Sequence, residues 1–201
     1  MAPEVDTTAV SGQSVWDRSR QAASREILDT ALRLFSQQGY DETPVAQIAR
    51  EAGVSERTLF RYFGTKQDLL GANQDRFGTV LRETIDAQPA AADVWDVLRA
   101  GIAAALSLND DQGQAEQRFR LLHSTPSLRA GWLDKRLRFQ EEILPLITGR
   151  MGAEDAADPR ARAVVATAFA CLDAASMTWV ESGAAGDIID VYDRCVAAVR
   201  R

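Results

Sequence analysis

The chain has 201 residues, of which 46% are hydrophobic and 26% charged, and a formal net charge of -6. This is the size and composition of one ordinary globular domain or two small ones, able to bury a core without disulfides or metal, and it excludes a disordered chain. The only histidine is His123, so a zinc site or a Ser-His-Asp hydrolase would have to be built around that one residue, and a structural or pocket-lining role is the expectation; the only cysteines, Cys171 and Cys195, are too few for a disulfide framework and lack metal-like spacing.

No run approaches ~20 consecutive apolar residues, so no transmembrane helix is expected. Residues 1–14 lack the basic start and apolar run of a secretory signal, which points to a reducing cytoplasm. The charge is uneven. Residues 16–70 carry eight basic and eight acidic side chains, whereas residues 71–201 carry 15 basic and 19 acidic. A neutral N-terminal part on an acidic body suits a protein that touches phosphates with one end only.

Residues 1–17 are expected to be a disordered arm, rich in Pro, Gly, Ser and Thr and without periodicity. Arg18, Arg20 and Arg25 follow, either reaching a phosphate or minor groove or forming a solvated face. The first helix is predicted over 19–38, with Ile27, Ala31, Leu34 and Phe35 on one stripe and Gly39 as its stop. Thr43 as N-cap and Pro44 at the first helical position start a second helix over 44–52. Gly53 breaks it. Ser55 caps a third over 56–63, whose apolar side is Leu59 and Phe63. Thr65, with Asp68 three residues on, starts a fourth over 66–87. Five more helices are predicted over 93–107, 113–124, 128–148, 159–182 and 187–200. No segment alternates with period 2 for long enough to be a strand. The expected fold is all-α, with about nine helices.

The second and third helices carry the chemistry. Ala49 is small where two helices must approach, Gly53 supplies the turn and Val54 plugs the angle between them. This is the sequence form of a helix-turn-helix, whose second helix enters the major groove. The residues opposite Leu59 and Phe63 are then the groove-facing ones: Glu56, Arg57, Thr58, Phe60, Arg61 and Tyr62. Arginine reads guanine bidentately, and threonine meets a thymine methyl or a phosphate. Thr43 and Ser55 sit at helix N-termini, where hydroxyls and free N–H groups bind phosphate. Tyr62 and Lys66 are further candidates for phosphate contacts.

The string from Ile27 through Ala31, Leu34-Phe35, Gly39-Tyr40, Thr43, Ile48-Ala49, Ala52-Gly53-Val54-Ser55 and Thr58-Leu59-Phe60-Arg61-Tyr62-Phe63 to Lys66 and Leu69-Leu70 resembles the N-terminal signature of the TetR family of bacterial transcriptional regulators. It departs at Phe60, where the family more often has tyrosine and gains a phosphate-contacting hydroxyl. The resemblance implies a helix-turn-helix DNA-binding head over 18–65 and a ligand-binding, dimerising body over 66–201. It implies a homodimer, a palindromic double-stranded operator and a small-molecule effector, with no cofactor, no metal and no enzymatic activity.

Within the body, Ala168, Leu172, Ala175 and Trp179 form one stripe, and Val191, Cys195 and Val199 another. They are either the faces of a four-helix dimer interface or internal core. Phe119, Trp132 and Phe139 offer aromatic walls, and His123, Asp173 and Ser176 offer polar groups, for a largely apolar effector. The alternative is ordinary core aromatics with capped or solvated polar groups. The stretch 118–130 is similar to a subset of actinobacterial TetR-like regulators that includes the mycofactocin-associated ones, which implies an acyl-CoA-like effector.

The leading expectation is a repressor released when its effector tilts the fourth helix and changes the spacing of two heads. A helical-bundle enzyme or small-molecule carrier is the second reading, disfavoured by one histidine and no Glu-x-x-His pair. A ligand-free architectural DNA-binding protein is the third.

Overall fold

The computed structural model describes residues 15–70, 74–108, 112–152 and 159–200. Residues 1–14 of the expected arm lie outside the described residues, as do the side chains of residues 15–21, Arg18 and Arg20 among them. Nine α-helices and one 3₁₀ turn make up the described chain, with no strand among the described residues.

Helix α1 spans Val15–Gln38, so helix replaces the expected arm from residue 15. Its stripe of Ile27, Ala31, Leu34 and Phe35 is turned inward and buried. Gly39 ends it at φ +91°, a conformation that a side chain strains. Helix α2 spans Val45–Glu51, and its N-cap is Pro44, not Thr43. Thr43 is one residue too far back to reach the first amides of the helix. Its hydroxyl instead donates to the Gly39 carbonyl at 2.6 Å and accepts from Gln38 Nε2 at 3.1 Å.

Helix α3 spans Glu56–Phe63. Ser55 caps it, accepting from the Thr58 amide at 3.1 Å. Thr65 and Asp68 then form the expected reciprocal cap, Thr65 N donating to Asp68 Oδ2 at 3.1 Å and Asp68 N to Thr65 Oγ1 at 3.2 Å. That cap opens only a 3₁₀ turn, Gln67–Leu69, which buries Leu69 and Leu70. The described helix α4 begins later, at Gln74–Asp86. The single helix predicted over 66–87 is therefore two described pieces, with residues 71–73 outside the description.

The body continues with α5 (Val94–Leu106), α6 (Gln112–Ser124), α7 (Pro126–Arg150), α8 (Pro159–Glu181) and α9 (Ile188–Val199). Asp93 and Asp187 cap α5 and α9 through the amides of Trp95 and Ile189. Arg150, at the end of α7, donates to the carbonyls of Ile85 and Gln88 at 2.8 and 2.7 Å, closing the C-terminus of α4 with a cation. Gly101 lets α5 lie flush on α4: a Cβ there would stand 2.8 Å from Ile85 Cγ1.

Helix α8 is the hub, packed against α5, α6, α7 and α9. By length and composition alone it could cross a bilayer, but Val165, Ala168, Phe169, Leu172, Ala175 and Trp179 are buried in the body, which is how a core helix passes that test. Helix α4 packs on α5 and α7. Helices α1, α2 and α3 pack on one another in sequence, and α1 meets α6.

Candidate nucleic-acid interface and body cleft

Leu59 and Phe63 are buried under α3 and fix its rotation. The opposite side then faces solvent. Glu56, Arg57, Phe60 and Arg61 are exposed, with Thr58 and Tyr62 half-buried at the edges. Phe60 is 42% exposed, an aromatic ring in water with no core role. Ser55 Oγ lies 2.9 Å from Thr58 Oγ1, so the two hydroxyls sit together at the head of the helix. The Arg61 guanidinium lies 5.7 Å from the Tyr62 ring centre. Among the described residues no carboxylate holds Arg57 or Arg61. Six of the eight candidate DNA contacts thus share one helix and its cap: Ser55, Arg57, Thr58, Phe60, Arg61 and Tyr62.

Thr43 and Lys66 do not join them. Thr43 is fully buried. Lys66 turns back into the chain, its ammonium 2.5 Å from the Tyr40 carbonyl oxygen and 4.4 Å from the Tyr40 ring centre. Burial holds its pKa below the usual lysine value. Burial and the nearby Asp41 and Asp68 push the Tyr40 phenol up to about 12, so it stays neutral beside the ammonium. Lysine is strongly hydrated, and in this half-buried place carbonyl oxygens and ring faces replace that water.

In the body, a cleft of about 670 Å³ opens between α5, α6, the end of α8 and the start of α9. Leu106, Ala115, Phe119, Trp179, Ile188 and Ile189 supply an apolar lining, and Arg99 and Gln112 add polar groups. Phe119 and Trp179 meet edge to face at 6.3 Å, and the Trp179 Nε1–H is used up on the Gly186 carbonyl at 3.0 Å. Arg99 is held bidentately by Asp193, both contacts at 2.7 Å.

Of the expected ligand residues, only Phe119 lines this cleft. His123 stacks on Phe119 and places Nε2 3.0 Å from Ser176 Oγ, which donates to the Asp173 carbonyl at 2.9 Å. Asp173 pairs with Arg136 of α7. These three polar residues therefore tie α6, α7 and α8 together behind the cleft wall. Burial and the positive charge of Arg129 lower the His123 pKa, against an opposing pull from Glu181. Phe139 packs on Phe77 at 5.4 Å, beside a separate hollow of about 210 Å³ between α4 and α7, and half-buried Trp132 rests on the core. Sequence reasoning missed Leu106, Ile188 and Ile189. The paired isoleucines directly after the Asp187 cap were the available signal.

Of the two stripes read as either a subunit interface or internal core, the α8 stripe and Val191 belong to the chain's own core. Ala168 and Ala175 are 0% exposed, Leu172 1%, Trp179 3% and Val191 6%. The α8 stripe looks inward because four helices surround it. Cys195 is half-buried, and of the seven only Val199 is exposed. The outer face of α8 carries Ala163, Ala166, Ala170, Ala174 and Met177, all exposed.

Residues 27–72 match the family described as bacterial regulatory proteins, tetR family, and residues 92–201, more than half the chain, match the MftR C-terminal domain. A Mycobacterium tuberculosis regulator named for mycofactocin biosynthesis is 28% identical over 138 residues, covering 68% of this chain and 70% of its own. The transcriptional repressor Rv3405c of the same organism is 35% identical over 111 residues, covering 51% of this chain and 59% of its own. Two solved structures share the fold. SmeT, in a triclosan complex, has a TM-score of 0.60 at 19% identity and covers 89% of this chain and 91% of its own. FadR of Bacillus subtilis, in complex with stearoyl-CoA, has a TM-score of 0.56 at 22% identity, covering 86% and 95%.

Proposed function

The chain belongs to the TetR family of bacterial regulatory proteins and is a transcriptional regulator, and from that premise we propose that it is an effector-released repressor that reads a palindromic operator as a homodimer. In this reading residues 18–65 are the DNA-binding head and residues 66–201 the body. The observation that carries it is the α3 face. Two arginines that no carboxylate among the described residues holds, and an exposed phenylalanine, stand on a helix pinned by Leu59 and Phe63. Arg57 and Arg61 supply base or phosphate contacts, Ser55, Thr58 and Tyr62 supply hydroxyls, and Phe60 supplies an apolar surface for bases or sugar. Lys66 and Thr43 support the head from inside.

A two-fold pair of such heads reads half-sites ~34–36 Å apart. The second copy docks on the outer face of α8, where alanines allow close helix approach, with the exposed end of α9 at Val199 beside it. The effector occupies the cleft between α5, α6, α8 and α9. Its lining favours an apolar molecule, in keeping with the stearoyl-CoA and triclosan bound by the two fold-mates. The protein works in the cytoplasm as a binder and performs no catalysis.

The test is sequencing of duplexes that the full chain selects from random DNA, followed by titration of stearoyl-CoA and triclosan onto the complex. Enrichment of an inverted repeat that either compound releases supports the reading. Recovery of no preferred sequence overturns it.

A further inference from the structure

We propose that α6, through Gln114 and Gln117, transmits occupancy of the body cleft to the DNA-binding helices; this rests on the regulatory reading above. The expected lever was the helix after residue 66. Yet among the described residues none of those lining the cleft comes from α4, whereas Gln112, Ala115 and Phe119 come from α6. Among the described residues, α6 is also the one body helix in extended contact with α1, α2 or α3, and it meets α1.

The two roles fall on different sides of α6. Ala115 and Phe119, four residues apart, line the cleft. Gln114 and Gln117, three apart, face α1. Gln114 Nε2 donates to Asp29, and Gln117 Nε2 donates to Ser36 Oγ at 2.7 Å. Ser36 Oγ in turn donates to the Leu32 carbonyl at 2.9 Å, so the glutamine holds the backbone of α1 as well as a side chain. This joint is polar and open. A groove of about 550 Å³ runs along it, lined by Ser36, Gln114, Gln117 and Arg120. Hydrogen bonds over a wet groove are remade in a new register more easily than interdigitated apolar side chains. A guest that pushes on Phe119 and Ala115 shifts α6, and the two glutamines carry α1 with it. Helices α2 and α3 ride on α1.

A side chain that fills the cleft tests this without a known effector. The probe is the duplex selected from random DNA by the wild-type chain, and the filler is Ala115→Trp. In the wild-type background the filler weakens duplex binding by about ten-fold, within the usual range of allosteric coupling. In the Gln114→Ala/Gln117→Ala background it changes binding by less than about two-fold, the scatter expected of independent sites. If Ala115→Trp fails to fold, Leu106→Trp fills the same cleft from α5, with the same expectation. Equal losses in both backgrounds overturn the proposal, as do fillers that leave binding and the hydrogen exchange of α1 unchanged. A double glutamine variant that no longer binds duplex at all also overturns it, because the joint is then only structural. A wild-type chain that selects no duplex defeats the regulatory reading itself, a separable failure.

Discussion

The ammonium of Lys66 stands 2.5 Å from the carbonyl oxygen of Tyr40 and 4.4 Å from the centre of its ring. One side chain thus closes the loop between α1 and α2 onto the segment that follows α3. It braces the helix-turn-helix from behind, on the side away from the exposed face of α3.

Lys66→Met keeps the aliphatic stem and removes the charged donor. It is expected to destabilise the chain by about 1.5–3 kcal/mol, the range for hydrogen bonds to charged groups. Thermal unfolding reads this. The slope of log affinity against log salt should stay that of the wild type. A slope shallower by about 0.9 marks Lys66 as a phosphate contact instead.

Arg61→Ala is expected to weaken binding to the selected duplex by about 1–3 kcal/mol, with a much smaller effect on random DNA. Competition gel shifts with both DNAs measure the ratio. Equal losses on the two would show a phosphate role and remove base reading from Arg61.

The fold disfavours the protonated form of His123, because burial and Arg129 lower its pKa below the ordinary value of 6.5. The unfolded chain therefore binds a proton on this group at higher pH than the folded one does. The stabilisation is complete above pH 6.5 and is lost as pH falls through the lowered folded value. The melting temperature should drop between pH 7 and pH 5, and His123→Gln should flatten that part of the profile. An unchanged profile in the variant assigns the pH response to other groups.

Ala170→Glu puts a charge on the outer face of α8, among the exposed Ala163, Ala166, Ala174 and Met177. It should yield monomers at concentrations where the wild type sediments as a dimer, with its far-UV spectrum unchanged. A dimeric Ala170→Glu chain moves the subunit contact to another face.

The sequence showed the head in detail because its signals are local. Gly39, Ser55, Gly53 and Gly64 punctuate short helices, and each such rule acts within a turn or two of chain. The α3 boundaries and the inward pair Leu59 and Phe63 followed directly. Thr43 misled because Thr-Pro reads as cap plus first residue, while the chain places the cap on Pro44 itself. Tertiary partners were not legible. Lys66 reaches 26 residues back to Tyr40, and no spacing rule covers that distance. In α8 the inward and outward stripes are both rich in alanine, so composition could not say which one faces a second subunit. The cleft draws its lining from four helices far apart in the chain. Only Phe119 among the expected wall residues was placed there, since the order in which α5, α6, α8 and α9 surround it is a property of packing.

Sequencing the duplexes enriched by the full chain from a random pool tests the central claim most directly. Two recognition helices held by a dimer should enrich an inverted repeat whose half-sites are centred about 10–10.5 base pairs apart, or a multiple of that spacing. Enrichment of a single asymmetric half-site, or of no sequence at all, would contradict it.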